Sequence, residues 1–186
     1  MAAGWRRAAS RRAHLANLRA GLALAPRERL LATVAGPGGG YTLAATDRAL
    51  FHRAHGGAWT RLGWEQVAAV SWEAGPRMVI TGLMAHARAV VPVRDRGAMP
   101  EIALERITHT RLGTWHVAFP CGGRARIEAR RRPVTGEMLW LVAAGTGPGT
   151  GGLDLGTGQL RAEVERVIAR LSADSGLPRQ APVSLP

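Results

Sequence analysis

The side chains that most often carry out catalysis or bind metals are few and scattered in this sequence. His52 and His55 lie three residues apart, a spacing that directs them to opposite faces of a strand. A zinc site needs three or four converging ligands. His116 and Cys121 also differ in strand parity, which argues against a cysteine nucleophile paired with a histidine base. The pattern predicts no catalytic residue, no metal site and no cofactor.

A glycine-rich segment, residues 145–152, stands between a predicted strand and a predicted helix, as phosphate-binding loops do. A Walker A loop places a lysine on the phosphates, and this sequence contains no lysine. Dinucleotide binding requires parallel βαβ units, which the strand pattern does not allow. Residues 145–158 are therefore predicted to be a linker.

Arginines concentrate in one predicted strand, RARIEARRR, which begins at Arg124. Alternation places Arg124, Arg126 and Arg130 on one face, and Arg131 follows. Guanidinium groups match phosphate and carboxylate, so these four arginines are the candidate residues for binding a protein or another anionic partner. The alternative is a solvated strand face, with the intervening alanine and isoleucine packing inward. No aromatic residue that could stack a base is interleaved here.

The first 27 residues carry half of the net charge of +12, because they contain six arginines and no acidic residue. Leu15, Leu18 and Leu22 form one stripe of a short amphipathic helix. The segment from Ser10 to Leu15 resembles a twin-arginine export signal, but Arg19 interrupts the apolar region that should follow it. We expect a basic N-terminal extension or helix, and a cytoplasmic protein. The alternative function is that this leader binds nucleic acid or an anionic membrane.

Hydrophobic periodicity predicts a mainly β protein with two helices. Turn residues separate seven short strands, at 30–35, 41–46, 49–53, 59–62, 67–73, 77–83 and 87–93. A helix over 99–111 begins with proline at its first turn. Three more strands follow, at 115–119, 124–130 and 138–143, and an amphipathic helix over 159–173 ends before Gly176. No apolar run is long enough to span a bilayer.

Five of the six tryptophans, Trp59, Trp64, Trp72, Trp115 and Trp140, fall in strands or corners. They could line a groove, but tryptophan at such positions usually packs in the core, where it buries a large area. Trp64, at a corner, is the one expected to be partly exposed.

The order of seven strands and a helix resembles a pleckstrin-homology-like (PH-like) split barrel. The sequence is similar to a group of small bacterial PH-like-domain proteins from GC-rich genomes over about residues 28–172. The residues that carry the resemblance are ERLLA at 28–32, ATDRAL at 45–50, RLGWEQV at 61–67, SWE at 71–73, ERIT at 105–108, ARR at 129–131 and LW at 139–140. The resemblance implies a non-catalytic binding or regulatory role. It names no ligand, and the loop at 36–40 lacks the basic residues of a phosphoinositide pocket.

The predicted class is α+β, mainly β: an antiparallel PH-like split barrel with extra strands and a C-terminal amphipathic helix. Residues 1–27 are the N-terminal extension, 28–113 the barrel with its helix, and 174–186 a flexible tail. Residues 114–173 are expected to pack on the same core as the barrel. The predicted function is a non-enzymatic binding module. An enzyme would require a pocket that gathers several of His52, His55, Glu65, Glu73 and Cys121.

Overall fold

The computed structural model describes residues 16–73, 77–83, 88–120, 123–144 and 158–179. Several features singled out in the sequence lie outside the described residues. These are the twin-arginine motif, the turn at 75–76, Cys121, the glycine-rich segment at 145–152 and the last seven residues of the tail.

Seven consecutive strands form two antiparallel sheets in which neighbours in sequence are neighbours in space. The four-stranded sheet consists of β1 (Leu30–Ala35), β2 (Tyr41–Thr46), β3 (Ala49–Ala54) and β4 (Thr60–Gly63). The three-stranded sheet consists of β5 (Val67–Glu73), β6 (Arg77–Gly82) and β7 (Arg88–Pro92). The mainly β, antiparallel prediction is confirmed. Within the described part of the chain, hydrogen bonding does not close these sheets into a barrel.

The corner between the two sheets is a short 3-10 turn, Trp64–Gln66. The Trp64 indole donates a hydrogen bond of 2.8 Å to the carbonyl of Thr46, and its side chain is fully buried. The expectation that Trp64 is partly exposed is therefore wrong. The indole N–H can be buried because its hydrogen-bond acceptor, 18 positions away in sequence, is also inside the fold.

Helix α1 (Met99–Thr110) covers the inner faces of both sheets. Its buried residues Met99, Ala103 and Ile107 recur every four positions, so they form one face of the helix. They join Leu43, Trp64 and residues of both sheets in the first hydrophobic cluster. Proline occupies the first turn of α1, as predicted, where its missing N–H costs no helical hydrogen bond.

The remaining strands form a third antiparallel sheet in the order β10-β9-β8. Its members are β8 (Arg111–Ala118), β9 (Arg124–Arg131) and β10 (Met138–Ala144). Helix α2 (Gly158–Ser175) packs on one face through Leu160, Val164 and Ile168. It ends at Ser175, directly before Gly176, the predicted stop, which adopts a φ of +66°.

The third sheet and α2 have a hydrophobic cluster of their own, separate from the cluster of the first two sheets. That residues 114–173 pack on the same core as the barrel stays a prediction. In the structure Leu160, Val164 and Ile168 of α2 cover one face of the third sheet. The other face contacts the second sheet, β5–β7, through a small cluster of four residues: Ala68, Leu83, Leu139 and Leu141.

Residues 16–28, the described part of the leader and the residue that follows it, pack against the outer face of the first sheet, and we call them the strap. Residues 16–21 are helical, in agreement with the predicted N-terminal helix. Leu22 is buried with Ala44, Ala49 and Phe51. Both faces of β2 are therefore covered, because Leu43 and Ala45 point into the first cluster while Ala44 points to the strap.

The strap is fastened at its C-terminal end by a buried carboxylate. Glu28 accepts hydrogen bonds from the Thr46 hydroxyl at 2.6 Å and from the Ala25 amide at 3.1 Å. The Arg61 guanidinium lies 3.8 Å from the same carboxylate. Since a buried charge is costly unless it is paired and hydrogen-bonded, these contacts are what allow Glu28 to lie inside the fold.

Candidate functional site

Strand β9 brings four charged side chains to the face of the third sheet that is turned away from α2. Alternation along the strand places Arg124, Arg126, Glu128 and Arg130 on this face. The intervening Ala125, Ile127 and Ala129 point to the other side, into the cluster with α2. The sequence-based interpretation of this alternation is confirmed for the alanine and isoleucine that pack inward.

The centre of the site is Glu128, whose side chain is only 3% exposed. Three guanidinium groups converge on its carboxylate. Arg130 Nε lies 2.7 Å from Oε2, and Arg126 Nε lies 3.1 Å from Oε1. Arg111, at the start of β8, places its Nε 3.8 Å from Oε2. One negative charge is thus surrounded by three positive charges.

Arg130 is fully buried, so it is not part of a surface that an external partner could contact. Besides Glu128, its Nη1 donates to the Thr110 hydroxyl at 2.8 Å and to the Ile107 carbonyl at 3.1 Å. Those acceptors belong to the last turn of α1, where unpaired carbonyls favour a cation. Burial lowers the pKa of Arg130 from its usual value, and the charge of Glu128 opposes that shift. The candidate role of Arg130 in binding is replaced by a structural one.

Arg131 is exposed but lies on the opposite face of β9 from Arg124 and Arg126. It pairs in register with Met138, which belongs to the cluster shared with α2. The structure therefore does not bring the four candidate arginines together. Arg124 and Arg126 lie on one face of β9, and Arg130 is buried further along that face. Arg131 lies on the opposite face.

The exposed cations that do share a face are Arg111, Arg124 and Arg126, and we call them the arginine stripe. The side chains of Arg126 and Arg111 are 38% and 41% exposed, although both contact the buried Glu128. Arg124 is exposed at the end of β9. The residues opposite Arg124 and Arg126 on β8 are Ala118 and His116, so no bulky apolar side chain separates the stripe from solvent on that side.

Sequence reasoning missed two members of this site, Arg111 and Glu128. The signal for Glu128 is present in the sequence, because it has the same strand parity as Arg126 and Arg130. Arg111 was predicted to end a helix. In the structure it begins β8, pairs in register with Arg130 and is followed by a bulge at Gly113. A Cβ at Gly113 would lie 2.3 Å from the Trp115 ring, so any other residue there requires that ring to move.

The residues considered for catalysis are dispersed. His52 is half-buried on β3, His55 is exposed in a turn, and Glu73 pairs with Arg88. Within the described ranges, no three His, Cys, Asp or Glu residues come close enough together to hold a metal ion. None of the described helices has the length and apolar character needed to cross a bilayer.

Comparison of this chain with protein-family models, with curated proteins and with solved structures gives no significant match.

Proposed function

We propose that this protein is a non-enzymatic, PH-like binding module whose arginine stripe binds an acidic segment of a partner protein. The observation that carries the proposal is the convergence of Arg111, Arg126 and Arg130 on the single buried carboxylate of Glu128. Arg130 is taken up by the fold, and Glu128 neutralises one charge. Two positive charges therefore remain at the surface, next to that of Arg124.

The PH-like part of the proposal covers residues 28–113. What supports it is the order of a four-stranded sheet, a three-stranded sheet and a helix, each strand antiparallel to the next. Packing of α1 on residues of both sheets, including Leu43 and Met78, is the arrangement expected when a helix fills the space between two curved sheets. The third sheet with α2 is an addition to this plan, and it carries the stripe.

The stripe suits recognition because a buried carboxylate attracts two of its side chains before a partner arrives. The Nε atoms of Arg111 and Arg126 lie 3.8 and 3.1 Å from the Glu128 carboxylate, close enough for charge attraction although neither contact is a hydrogen bond. Ordering a flexible arginine on binding costs free energy, so a pre-ordered guanidinium loses less. An acidic partner segment would supply carboxylates to the outward-facing part of each guanidinium, with no cofactor and no catalytic step.

The alternative, an anionic surface bound by the leader, receives less support from the strap. Leu18 and Leu22 would have to face a bilayer, but both are buried, and Leu22 packs with Ala44 and Phe51 of the first sheet. Removal of the leader as a cleaved export signal would take both leucines from the fold. A cytoplasmic location with an intact strap therefore accompanies the proposal.

The proposal is tested by measuring the binding of a fluorescein-labelled oligoglutamate peptide to the full-length protein by fluorescence anisotropy at low ionic strength. Arg124→Ala/Arg126→Ala is expected to weaken binding about tenfold, since each exposed ion pair contributes up to about 1 kcal/mol. Higher salt should weaken the wild type and leave the double variant little changed.

The matched control is Arg131→Ala/Arg170→Ala, which removes the same charge from exposed positions on β9 and α2, away from the stripe. It should bind the peptide nearly as well as the wild type. Equal losses in the two double variants would mean that only net charge matters, and the proposal would be wrong. Deletion of residues 1–15, which leaves the strap intact, distinguishes the leader. If that deletion alone abolishes binding, the alternative function is correct.

A further inference from the structure

We propose that Arg111 and Arg126, on either side of Glu128, form a site for a phosphate monoester carried by a phosphorylated segment of the partner. This inference rests on the proposed function and adds the chemical group that is recognised. It follows from the charge balance of the site and from the direction in which its guanidinium groups are held.

The charge balance favours a dianion. Arg130 is fully buried and directs its donors to Glu128, Thr110 and Ile107. The Glu128 carboxylate therefore has one charge to set against those of three guanidiniums, and two positive charges are left on the exposed side chains of Arg111 and Arg126. A phosphate monoester carries about −1.5 to −2 at pH 7. A glutamate or aspartate of the partner would neutralise only one of the two.

The direction of the guanidinium groups favours an oxyanion with several acceptors. Among the described residues, the polar contact of Arg126 is with the Glu128 carboxylate, through its Nε. Its two Nη groups are therefore left for a ligand. Arg111 also directs Nε to Glu128 and reaches the Ala68 carbonyl with Nη2 at 3.5 Å, which leaves its Nη1. Because Arg126 lies nearer Oε1 and Arg111 nearer Oε2, the two flank the carboxylate. A phosphate has three acceptor oxygens and can engage both.

A nucleic-acid backbone is a weaker fit to the same site. Each phosphodiester carries one charge, so it compensates no more than a carboxylate does. Proteins that bind single strands add aromatic side chains on which bases stack. The β8 residues opposite Arg124, Arg126 and Glu128 are Ala118, His116 and Thr114, and they offer only one ring.

The inference is tested with four fluorescein-labelled peptides that differ only at a central residue, which is phosphoserine, serine, aspartate or glutamate. Anisotropy of each is measured with the full-length protein at pH 7.5. The phosphoserine peptide is expected to bind at least about tenfold more tightly than the glutamate peptide. At pH 5.5, below the second phosphate pKa of about 6, the phosphate becomes a monoanion and this preference should fall several-fold.

Two variants locate the site. Arg126→Gln and Arg111→Gln should each remove most of the preference for phosphoserine, and Arg131→Gln, on the opposite face of β9, should retain it. Circular dichroism of each variant verifies that it is folded, and if one of the two stripe variants fails to fold, the other decides. A single-stranded oligouridylate of similar charge is expected to bind more weakly than the phosphopeptide.

Equal affinity for the phosphoserine and glutamate peptides would overturn the inference and leave the proposed function standing. Tighter binding of the oligouridylate than of the phosphopeptide would also overturn it, and would identify a nucleic-acid surface. If no peptide, phosphorylated or acidic, binds through the stripe, both the inference and the proposed function fail.

Discussion

Replacing Arg130 by methionine should destabilise the protein by about 3 kcal/mol, because it leaves the buried Glu128 without its closest partner. Removal of one member of a buried ion pair costs about 3–5 kcal/mol. The lower value applies here, since Arg126 stays 3.1 Å from the carboxylate and is partly exposed to solvent. Domains of ordinary stability unfold with about 5–15 kcal/mol, so the loss is a large fraction of the total.

A double replacement distinguishes a charge effect from a packing effect. In Glu128→Leu/Arg130→Met both buried charges are gone, and apolar neighbours are already present, because Leu141 and Leu139 pair in register with these two positions. Exchange of a buried ion pair for apolar residues of similar volume is often neutral or stabilising. We therefore expect the double variant to lie within about 1 kcal/mol of the wild type, although the single Arg130 variant does not.

The assay is urea denaturation followed by circular dichroism and tryptophan fluorescence, with Arg131→Met as the exposed control. The control should change the free energy of unfolding by less than about 0.5 kcal/mol. The reasoning is refuted if Arg130→Met costs less than about 1 kcal/mol. It is refuted equally if the double variant is as unstable as the single one, because unpaired charge would then not be the cause.

Three further predictions concern other parts of the fold. Arg27 adopts a φ of +64°, so Arg27→Gly should stabilise the protein by about 0.5 kcal/mol, and a lower urea midpoint would contradict this. Trp64→Phe should lower the free energy of unfolding by about 2–3 kcal/mol in the same assay, because the phenyl ring is smaller and cannot donate a hydrogen bond to Thr46. A decrease below about 0.5 kcal/mol would contradict the burial of Trp64. Burial lowers the pKa of His52, so the folded state binds a proton less readily than the unfolded chain does. Stability should therefore decrease as the pH falls from about 6.5 through the lower folded-state pKa, and an equally steep decrease in His52→Gln would show that another group is responsible.

The sequence was a good guide to the strands whose ends are marked by turn residues. The bounds of β1, β2 and β5 agree with the prediction, because Gly36, Asp47 and the corner at Gly63 interrupt the alternation sharply. The start of β8 was predicted four residues too late. Helix α1 passes into β8 with no intervening loop, and the bulge at Gly113 obscures the alternation there.

Of the candidate site, the sequence predicted only which residues of one strand, β9, share a face. Parity correctly grouped Arg124 with Arg126, because side chains alternate in any strand. It could not show that Arg130 is buried, since that depends on α1, whose contacting residues are 20 and 23 positions away in sequence, lying over the end of β9. Nor could it show Arg111, which reaches Glu128 from a neighbouring strand. Burial and cross-strand contacts are properties of the packed sheets and not of one segment.

The same ion pair links the stability of the fold to the geometry of the stripe. Arg130 joins the last turn of α1 to β9, and it also holds the Glu128 carboxylate that Arg111 and Arg126 approach. An apolar residue at position 130 could fill the same volume, but it could not hold a carboxylate at the base of an exposed arginine pair. Glu128→Leu/Arg130→Met is therefore expected to be stable and yet to bind oligoglutamate differently from the wild type. The double variant removes one negative and one positive charge, so the net charge of the site is unchanged, but Arg111 and Arg126 lose the carboxylate that their Nε atoms approach.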